Sequence, residues 1–306
     1  MRAMVYRRFG GPEVLEPADL PEPKTHLDSV LVRVRAAALN PADLSNQSGL
    51  FEHTLETHFP VVPGWDIAGV VERAGLGAPE FKPGDEVIGY IRGELMRAHG
   101  GLAELVATDV RTLLPKPAGW SWAEAAGLPL AGLTAYQAIV RVLDVRPGET
   151  LLVHAASGAV GSLAAQLAKF RGARVIGTAS PRNHDYLHEL GVEPVGYGPG
   201  LADRVLELAA LGVDAVLDAA GRGTLPATAA VGRPGARLAS AAEFGLPGVA
   251  NVFVRLDPAD FRAVATLAEQ GVLRVRVGAT FPLDQAAQAQ RVLAAGTSQG
   301  KVVVEI

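Results

Sequence analysis

The feature that most constrains the fold of this chain is a run of small residues, VHAASGAVG, at Val153–Gly161. An aliphatic stretch typical of a buried strand precedes it, and the stretch that follows has the apolar spacing of a helix. A helix that begins directly after a strand presents unpaired backbone amides and a positive dipole end to an anion. The run therefore has two open interpretations, a loop that holds phosphate and a plain tight turn.

Segments of strand and helix character alternate through the middle of the chain. Such alternation predicts βαβ units and a parallel sheet with helices on its faces. The predicted strands are 150–154, 174–178, 213–217 and 236–240, and the predicted helices are about 160–171, 182–190, 201–210 and 224–231. We therefore predict an α/β fold with a doubly wound parallel sheet of the Rossmann type.

The two ends of the chain have a different pattern. Residues 1–118 contain short alternating β-branched runs broken by proline and glycine, which favours a β-rich barrel or sandwich. The C-terminal segment is predicted to hold a helix that starts at Asp257 and Pro258, a short strand RVRVG at 274–278, a further helix and a last strand KVVVEI. The expected domains are 1–118, 119–257 and 258–306, the last returning to complete the first.

Composition excludes several classes of function. The chain has no cysteine, which excludes disulfides, thiolate metal ligands and a cysteine nucleophile. His184 and His188 have an i, i+4 spacing that can hold a metal, but their charged neighbours favour a solvated helix face, and we predict no metal site. A net charge of −4 without a Lys/Arg cluster argues against a nucleic-acid partner. Because there is neither an apolar run of roughly 18–20 residues nor a signal-peptide pattern, we expect a cytoplasmic protein without a membrane partner.

The context of Val153–Gly161 favours a dinucleotide-binding loop over a plain turn. The small residues at 156 and 158 would let the backbone approach a pyrophosphate, and Gly161 would let the helix pack on the strand, although Ala156 stands where the GxGxxG motif has its first glycine. A serine nucleophile at Ser157 is disfavoured because the GxSxG elbow is lacking. The predicted pyrophosphate-binding residues are Ala156, Ser157, Gly158, Ala159, Val160 and Gly161.

The end of the second strand of this βαβ unit discriminates between the two dinucleotides. An NAD site expects an acid there to bind the ribose hydroxyls, whereas this chain has TASPRN at 178–183. Ser180, Arg182 and Asn183 provide a hydroxyl, a cation and an amide, which suit a 2′-phosphate. We therefore predict NADPH as the cofactor, with a merely solvent-facing Arg182 as the alternative.

Six motifs, taken together and in this order, resemble those of a known family. They are NPAD at 40–43, PGWDIAGVV at 63–71, GGLAE at 100–104, GLTAY at 132–136, AxxGxxG at 155–161 and GKVVV at 300–304. On these motifs the chain resembles, over essentially its whole length, the medium-chain dehydrogenase/reductase superfamily, and specifically its zinc-independent quinone oxidoreductase branch. The resemblance implies a GroES-like β-rich catalytic domain at 1–118, closed by 258–306, with an NADP-binding Rossmann domain at 119–257.

The resemblance bears on zinc as well. In zinc-dependent relatives a cysteine stands at the place of Asn40 and a His-Glu pair at the place of Trp65 and Asp66, while four further cysteines hold a second zinc. This chain has none of those cysteines, and a tryptophan replaces the histidine. Zinc-based alcohol chemistry is therefore not expected.

The resemblance also implies roles for residues outside the loop. Asn40, Asp43 and Trp65 are expected to line or orient the acceptor pocket, with no definite acid or base among them. Loop-tying roles for Asp43 and Asp66, a core position for Trp65 and a helix-capping hydroxyl at Thr134 stay open as alternatives. The further expected cofactor contacts are Asn40, Thr134, Ser180, Arg182, Asn183, Tyr197, Ala219, Ala220, Ala239, Ser240, Phe253 and Val254.

The resemblance implies an NADPH-dependent oxidoreductase that reduces a quinone by hydride or electron transfer. Two alternatives stay open, a double-bond reductase of α,β-unsaturated carbonyls and a non-catalytic NADPH-binding regulatory protein. The regulatory alternative is kept because the loop GLFEHTLETHF at 49–59 lacks a tyrosine that relatives often carry. A short-chain dehydrogenase is disfavoured because no tyrosine of this chain has a lysine four residues later. By analogy with relatives we expect a homodimer.

Overall fold

Two compact units make up the computed structural model, which describes residues 1–54, 56–91 and 99–306. Unit 1 comprises Met1–Leu130 and Val275–Ile306, and unit 2 comprises Ala131–Arg274. Leu55, in the loop 49–59 that lacks a tyrosine, lies outside the described residues. Each unit has its own large sheet, unit 1 has a two-stranded sheet as well, and the sheet of unit 2 is parallel, so the predicted fold class is confirmed.

The described residues form the following strands in chain order: β1 (Arg2–Val5), β2 (Glu16–Asp19), β3 (Ser29–Leu39), β4 (Asp66–Ala74), β5 (Glu86–Tyr90), β6 (Leu105–Asp109), β7 (Leu113–Pro115), β8 (Thr150–His154), β9 (Arg174–Thr178), β10 (Glu193–Val195), β11 (Val213–Asp218), β12 (Gly232–Ser240), β13 (Ala250–Asn251), β14 (Val277–Pro282) and β15 (Lys301–Glu305).

The helices are α1 (Pro41–Gln47), α2 (Trp122–Ala126), α3 (Pro129–Tyr136), α4 (Ala159–Phe170), α5 (His184–Glu189), α6 (Leu201–Leu208), α7 (Thr224–Thr228), α8 (Pro258–Glu269) and α9 (Ala286–Ala295). A π-helical segment, Gln137–Val142, follows α3. In the ranges that the structure describes, none of the helices combines the length and the apolar character that crossing a bilayer requires.

The sheet of unit 1 is built around β3, whose sequence is SVLVRVRAAAL. β3 pairs antiparallel with β4, β6 and β15, and the order along the sheet is β14-β15-β3-β4-β5-β7. Side chains that point to one face of these strands, such as Val32 and Val304, belong to one buried apolar cluster. The last strand of the chain therefore pairs inside unit 1.

The sheet of unit 2 has the order β10-β9-β8-β11-β12-β13, and all neighbouring strands run parallel. The chain moves outward from β8 through β9 to β10, then returns to the other side of β8 and moves outward from β11. The strand order thus reverses between β8 and β11. Ligands of doubly wound sheets bind at such a switch point, beyond the carboxyl ends of the strands.

The periodic segments of the sequence locate most elements of unit 2. The predicted strands correspond to β8, β9, β11 and the second half of β12, and the predicted helices correspond to α4, α5, α6 and α7. Asp257 caps α8 as predicted, because its side chain accepts hydrogen bonds from the backbone N–H groups of Ala259 and Asp260 at 2.9 and 3.1 Å.

The predicted strand at 274–278 is wrong in its position. Pairing of β14 with β15 begins only at Val277, opposite Lys301. Upstream of this point the backbone N–H of Arg274 donates to the side chain of Gln166 at 2.8 Å. The strand therefore begins at Val277 and continues to Pro282.

The boundaries of the two compact units, after Leu130 and after Arg274, differ from the predicted domain boundaries at 118/119 and 257/258. Helix α2 belongs to unit 1, because a Cβ atom at Gly127, which follows it, would lie 2.7 Å from a side-chain carbon of Val275. Helix α8 belongs to unit 2, where the carboxylate of Asp260 accepts hydrogen bonds from Gln137 and Arg141 at 3.2 and 2.7 Å.

Candidate functional site

The turn that follows β8 is anchored to the last residue of β9. The backbone N–H of Ala155 donates to the hydroxyl of Thr178 at 3.1 Å, and the N–H of Ala156 donates to its carbonyl at 3.0 Å. Ala155 has a φ of 52°, in the left-handed region that residues other than glycine rarely adopt. Two hydrogen bonds from one strand end therefore hold a strained turn at the switch point.

Helix α4 begins at this turn without a side-chain cap. Gly158 is the N-cap residue, in extended conformation, and it has no side chain that could accept a hydrogen bond from the first turn. The first backbone N–H groups of a helix have no acceptor within the helix. Residues 157–160 are partly exposed, so an anion can reach these amides.

Gly161 brings the helix onto the backbone of the turn. A Cβ atom at this position would lie 2.2 Å from the carbonyl oxygen of Ala155 and 2.9 Å from the Cα atom of Ala156. Both neighbours are backbone atoms, which cannot rotate away. Helix α4 therefore starts as close to β8 as it does because residue 161 has no side chain.

The segments after β9 and β10 carry the residues assigned to the 2′-phosphate. Asn183 is buried and its amide donates to the hydroxyl of Ser180 at 3.3 Å, whereas Arg182 is exposed. Tyr197 follows β10 and is 64% exposed. Because β9 and β10 are parallel neighbours, these segments leave the same edge of the sheet.

Sequence analysis missed Arg204, which orders the turn that carries Tyr197. The guanidinium of Arg204, in the first turn of α6, donates to the carbonyl of Gly196 from Nε and Nη2 at 3.2 and 2.9 Å and to that of Pro199 at 2.9 Å. An arginine at a helix N-terminus is unfavourable unless it has such acceptors, so its position in the sequence was the available signal.

The turns after β11 and β12 are organised by Asp218. This buried carboxylate accepts hydrogen bonds from the N–H groups of Ala220 and Gly221, both at 2.9 Å, and from the hydroxyl of Ser240 at 2.8 Å. Ala239 and Ser240 are buried, whereas Ala219 is partly exposed and Ala220 exposed. Backbone at 219–220 is thus accessible at this edge of the sheet.

The remaining predicted contacts of unit 2 have different environments. Phe253 is 57% exposed, and its ring lies 5.8 Å from that of Phe244, while Val254 is half-buried. Thr134 is buried in α3. The structure thus places the predicted residues of unit 2, apart from Thr134, on segments that follow β8 to β13 or lie in the last residues of these strands.

Asn40 and Asp66 belong to a buried charged network in unit 1. The ammonium group of Lys301 donates to Asn40 Oδ1 at 2.6 Å and to Asp66 Oδ2 at 3.1 Å. The amide of Asn40 donates to the same Asp66 oxygen at 3.0 Å, and the N–H of Leu130 donates to the other at 2.9 Å. This network ties the start of α1, β4 and β15 together.

Burial governs the ionisation of the two carboxyl groups near this network. It raises the pKa of Asp66, against the opposing effect of the Lys301 ammonium. It raises the pKa of Asp43 to about 7, against the hydrogen bond that Asp43 accepts from the backbone N–H of Asn40 at 2.8 Å. The other oxygen of Asp43 has no partner within the described ranges, and Trp65 is buried.

Sequence analysis assigned no role to Lys301, which it included only as part of the GKVVV motif. The signal was a lysine in a strand that is otherwise apolar except at its end. Buried lysines are rare unless a carboxylate lies beside them.

Two families match parts of the chain. Residues 26–118 match the family described as alcohol dehydrogenase GroES-like domain, and residues 200–304 match the family described as zinc-binding dehydrogenase. The residues of this chain do not fit zinc. It has no cysteine, the described residues contain no group of three His, Asp or Glu side chains placed for a metal, and the ammonium of Lys301 bonds to Asn40 and Asp66.

Several individual proteins are similar to this chain. The NADPH-dependent alkenal/one oxidoreductase, chloroplastic, of Arabidopsis thaliana is 38% identical over 199 residues, which cover 63% of this chain and 51% of that protein. The chain thus spans about half the length of that relative. A solved NAD-dependent alcohol dehydrogenase is 35% identical, with a TM-score of 0.91 and 100% of both chains covered. The quinone oxidoreductase of Coxiella burnetii is 30% identical, with a TM-score of 0.87 and 100% of this chain and 99% of that one covered.

Replacing Gly161 by alanine is expected to destabilise unit 2 by about 1–3 kcal/mol, because the added Cβ meets backbone that must shift. Urea denaturation measures the effect. Gly196→Ala is the matched control, since a Cβ there has nothing within 4 Å. Equal stability of the two variants would show that the contact at Gly161 is not tight.

Replacing Lys301 by methionine is expected to cost about 3–5 kcal/mol of stability, because Asp66 is left as an unpaired buried carboxylate. Without the ammonium the pKa of Asp66 rises further, so the deficit relative to the unchanged protein grows as the pH increases above the pKa that Asp66 has in the unchanged protein, which burial already raises above its unfolded value. Denaturation curves at several pH values measure this.

The double variant Lys301→Met/Asp66→Asn serves as the control for the lysine substitution. It removes the buried charge, so it is expected to be more stable than Lys301→Met alone at neutral pH. A deficit of Lys301→Met that does not change with pH would contradict the pairing of Lys301 with an ionised Asp66.

Proposed function

The chain belongs to the medium-chain dehydrogenase/reductase superfamily, in its quinone oxidoreductase branch, and from this premise we propose that it reduces a quinone with NADPH as the electron donor. The observation that carries the proposal is the uncapped start of α4 at the switch point of a parallel sheet. There the residues 156–161 would hold the pyrophosphate.

The segments beside the loop support NADPH over NADH. No acidic residue stands at 178–183, where an NAD site has the carboxylate that binds the ribose hydroxyls. Arg182 is exposed and has no carboxylate partner among the residues that the structure describes. We therefore assign the 2′-phosphate to Arg182, with Ser180 and Tyr197 beside it. One similar protein is an NAD-dependent alcohol dehydrogenase, so the cofactor has to be identified by measurements with both nucleotides.

When bound, NADPH supplies a hydride, and a proton from water completes the two-electron reduction of the acceptor. The chain's own contribution is to orient the nicotinamide and to exclude competing reactions. We assign the ribose and nicotinamide contacts in unit 2 to Thr134, Ala219, Ala220, Ala239, Ser240, Phe253 and Val254. We assign the lining or orienting of the acceptor pocket to Asn40, Asp43 and Trp65. All three are buried, and Asn40 is fixed by Lys301 and Asp66.

A reductase of α,β-unsaturated carbonyls is the second candidate function. The similarity to the alkenal/one oxidoreductase of Arabidopsis thaliana favours it. Both reactions start with the same hydride, which goes to a quinone in one and to the β-carbon of an enone in the other. The acceptor therefore has to be identified by assay.

We also propose a cytoplasmic homodimer. The edge strand β13 of the sheet of unit 2 has both of its residues exposed, as pairing with a second copy requires.

The purified protein is expected to oxidise NADPH when a quinone is added. The reaction is monitored through the loss of nicotinamide absorbance. A panel of quinones, enones and alkenals, each with NADPH and with NADH, identifies the acceptor. Faster turnover of enones than of quinones would support the second candidate. Binding of NADPH without its oxidation by any acceptor would contradict both reactions and favour a regulatory protein.

Arg182→Glu is expected to weaken NADPH binding by roughly tenfold to a hundredfold and NADH binding only slightly, because only NADPH carries the 2′-phosphate that the arginine would pair with. Calorimetric titration with both nucleotides measures the two affinities. Arg262→Glu, an equal change of charge at an exposed position of α8, is the matched control. Equal losses for NADPH and NADH would refute the assigned contact.

A further inference from the structure

His154 is a buried histidine at the end of β8 that the proposed function does not use. Its side chain is fully buried, and the next residue is Ala155, where the candidate pyrophosphate loop starts. The register of the sheet places His154 beside Asp218 of β11. A buried imidazole needs hydrogen-bond partners for both of its nitrogens.

Two threonines from different elements provide these partners. Nε2 of His154 lies 2.8 Å from the hydroxyl of Thr228 in α7, and Nδ1 lies 3.4 Å from the hydroxyl of Thr178 in β9. The hydroxyl of Thr178 is also the acceptor for the N–H of Ala155 at 3.1 Å. A continuous chain of hydrogen bonds thus runs from α7 through His154 to the first residue of the loop.

We assign the protons of these hydrogen bonds from the bond between Thr228 and the backbone, which selects one of the two neutral tautomers of the ring. The hydroxyl of Thr228 donates to the carbonyl of Thr224 at 3.0 Å, so it accepts from His154 at Nε2. Nδ1 of His154 is then unprotonated and accepts from the hydroxyl of Thr178. That leaves a lone pair of Thr178 Oγ1 for the N–H of Ala155.

The imidazole is neutral in this arrangement. Burial lowers the pKa of His154 to about 4, against the opposing charge of Asp218. In the described structure the hydrogen bonds of Asp218 go to Ser240 and to the backbone N–H groups of Ala220 and Gly221, and the two ring nitrogens of His154 bond to the threonines instead. At neutral pH Nδ1 therefore remains an acceptor.

The acceptor at Nδ1 fixes the direction of the Thr178 hydroxyl. If the hydroxyl proton of Thr178 pointed toward Ala155, it would face the amide hydrogen of Ala155, and the N–H of Ala155 would lose its acceptor. Ala155 holds a left-handed φ of 52°, which persists only where the surroundings enforce it. The orientation of one hydroxyl thus bears on the conformation of the turn from which α4 begins.

We propose that His154 is a positioning residue for the loop Ala155–Gly161, acting through the hydroxyl of Thr178 on the backbone N–H of Ala155. The consequence for nucleotide affinity rests on the proposed function, whereas the consequence for the loop itself does not. His154 contacts no nucleotide in this proposal. Its effect falls on NADPH and NADH alike, because the pyrophosphate is common to both.

Two substitutions of His154 separate the two ends of the chain of hydrogen bonds. Asparagine places its Oδ1 near the position of Nδ1 and keeps the acceptor for Thr178. Glutamine places its amide near Nε2, so it keeps the partner of Thr228 and loses the acceptor for Thr178. Calorimetric titration measures the affinities of both variants for NADPH and NADH. His154→Asn is expected to bind both nucleotides nearly as tightly as the unchanged protein, whereas His154→Gln is expected to bind both about tenfold more weakly.

A purely structural role predicts the opposite order. His154→Asn removes more volume from the core than His154→Gln, so it is expected to lower the melting temperature more. Weaker binding by the asparagine variant than by the glutamine variant would overturn the proposal, as would equal binding by both.

The two threonines provide a second, matched pair. Thr178→Val and Thr228→Val are similar changes at buried positions. Only the first removes the acceptor of the Ala155 N–H, so it is expected to weaken nucleotide binding by about tenfold, and the second by less than about threefold. Equal losses would overturn the assignment of Thr178 as the link to the loop.

Hydrogen exchange of the Ala155 amide tests the proposal without any nucleotide. Slow exchange is expected in the unchanged protein and in His154→Asn, and faster exchange in His154→Gln and Thr178→Val. If the unchanged protein binds neither nucleotide, the proposed function fails while this measurement still decides the role of His154. Equal protection of Ala155 in all four proteins would overturn that role.

Discussion

The close approach of α4 to the backbone of the preceding turn is the constraint on which the candidate site depends. The carbonyl of Ala155 lies where a side chain at residue 161 would begin, so only glycine permits this start of the helix. The approach determines where the first amides of α4 lie relative to the carboxyl end of β8. Because β8 is the strand at which the order of the sheet reverses, those amides face the place where doubly wound sheets bind ligands.

The sequence predicts those parts of unit 2 that rest on local pattern. β8, β9 and β11 are short runs with an apolar centre between turn residues, and the cap at Asp257 is read from two neighbouring residues. β10 and β13 are three and two residues long, too short to have a period. The start of β14 is set by its partner, since pairing begins opposite Lys301, which the local pattern around 274–278 does not contain.

The buried polar clusters escaped prediction because their members are distant in the sequence. Lys301 and Asn40 are separated by 261 positions, and His154 and Thr228 by 74. Lys301 begins the strand KVVVE, and His154 ends the strand TLLVH. An ionisable side chain is costly to bury in such a largely apolar strand unless a hydrogen-bonding partner is buried with it. Such a residue indicates a buried partner, although not which one.

The two clusters differ in what they impose on the backbone. In unit 1 the cluster is ionic, and the ammonium of Lys301 can only donate, so it holds the amide of Asn40 with Oδ1 toward itself and Nδ2 toward Asp66. Removing it leaves a buried charge, which is a matter of stability. In unit 2 the cluster around His154 is neutral, and each hydroxyl in it has one proton to direct. The acceptor of that proton decides which lone pair of Thr178 faces Ala155, so the neutral cluster can orient the start of the loop without a buried charge.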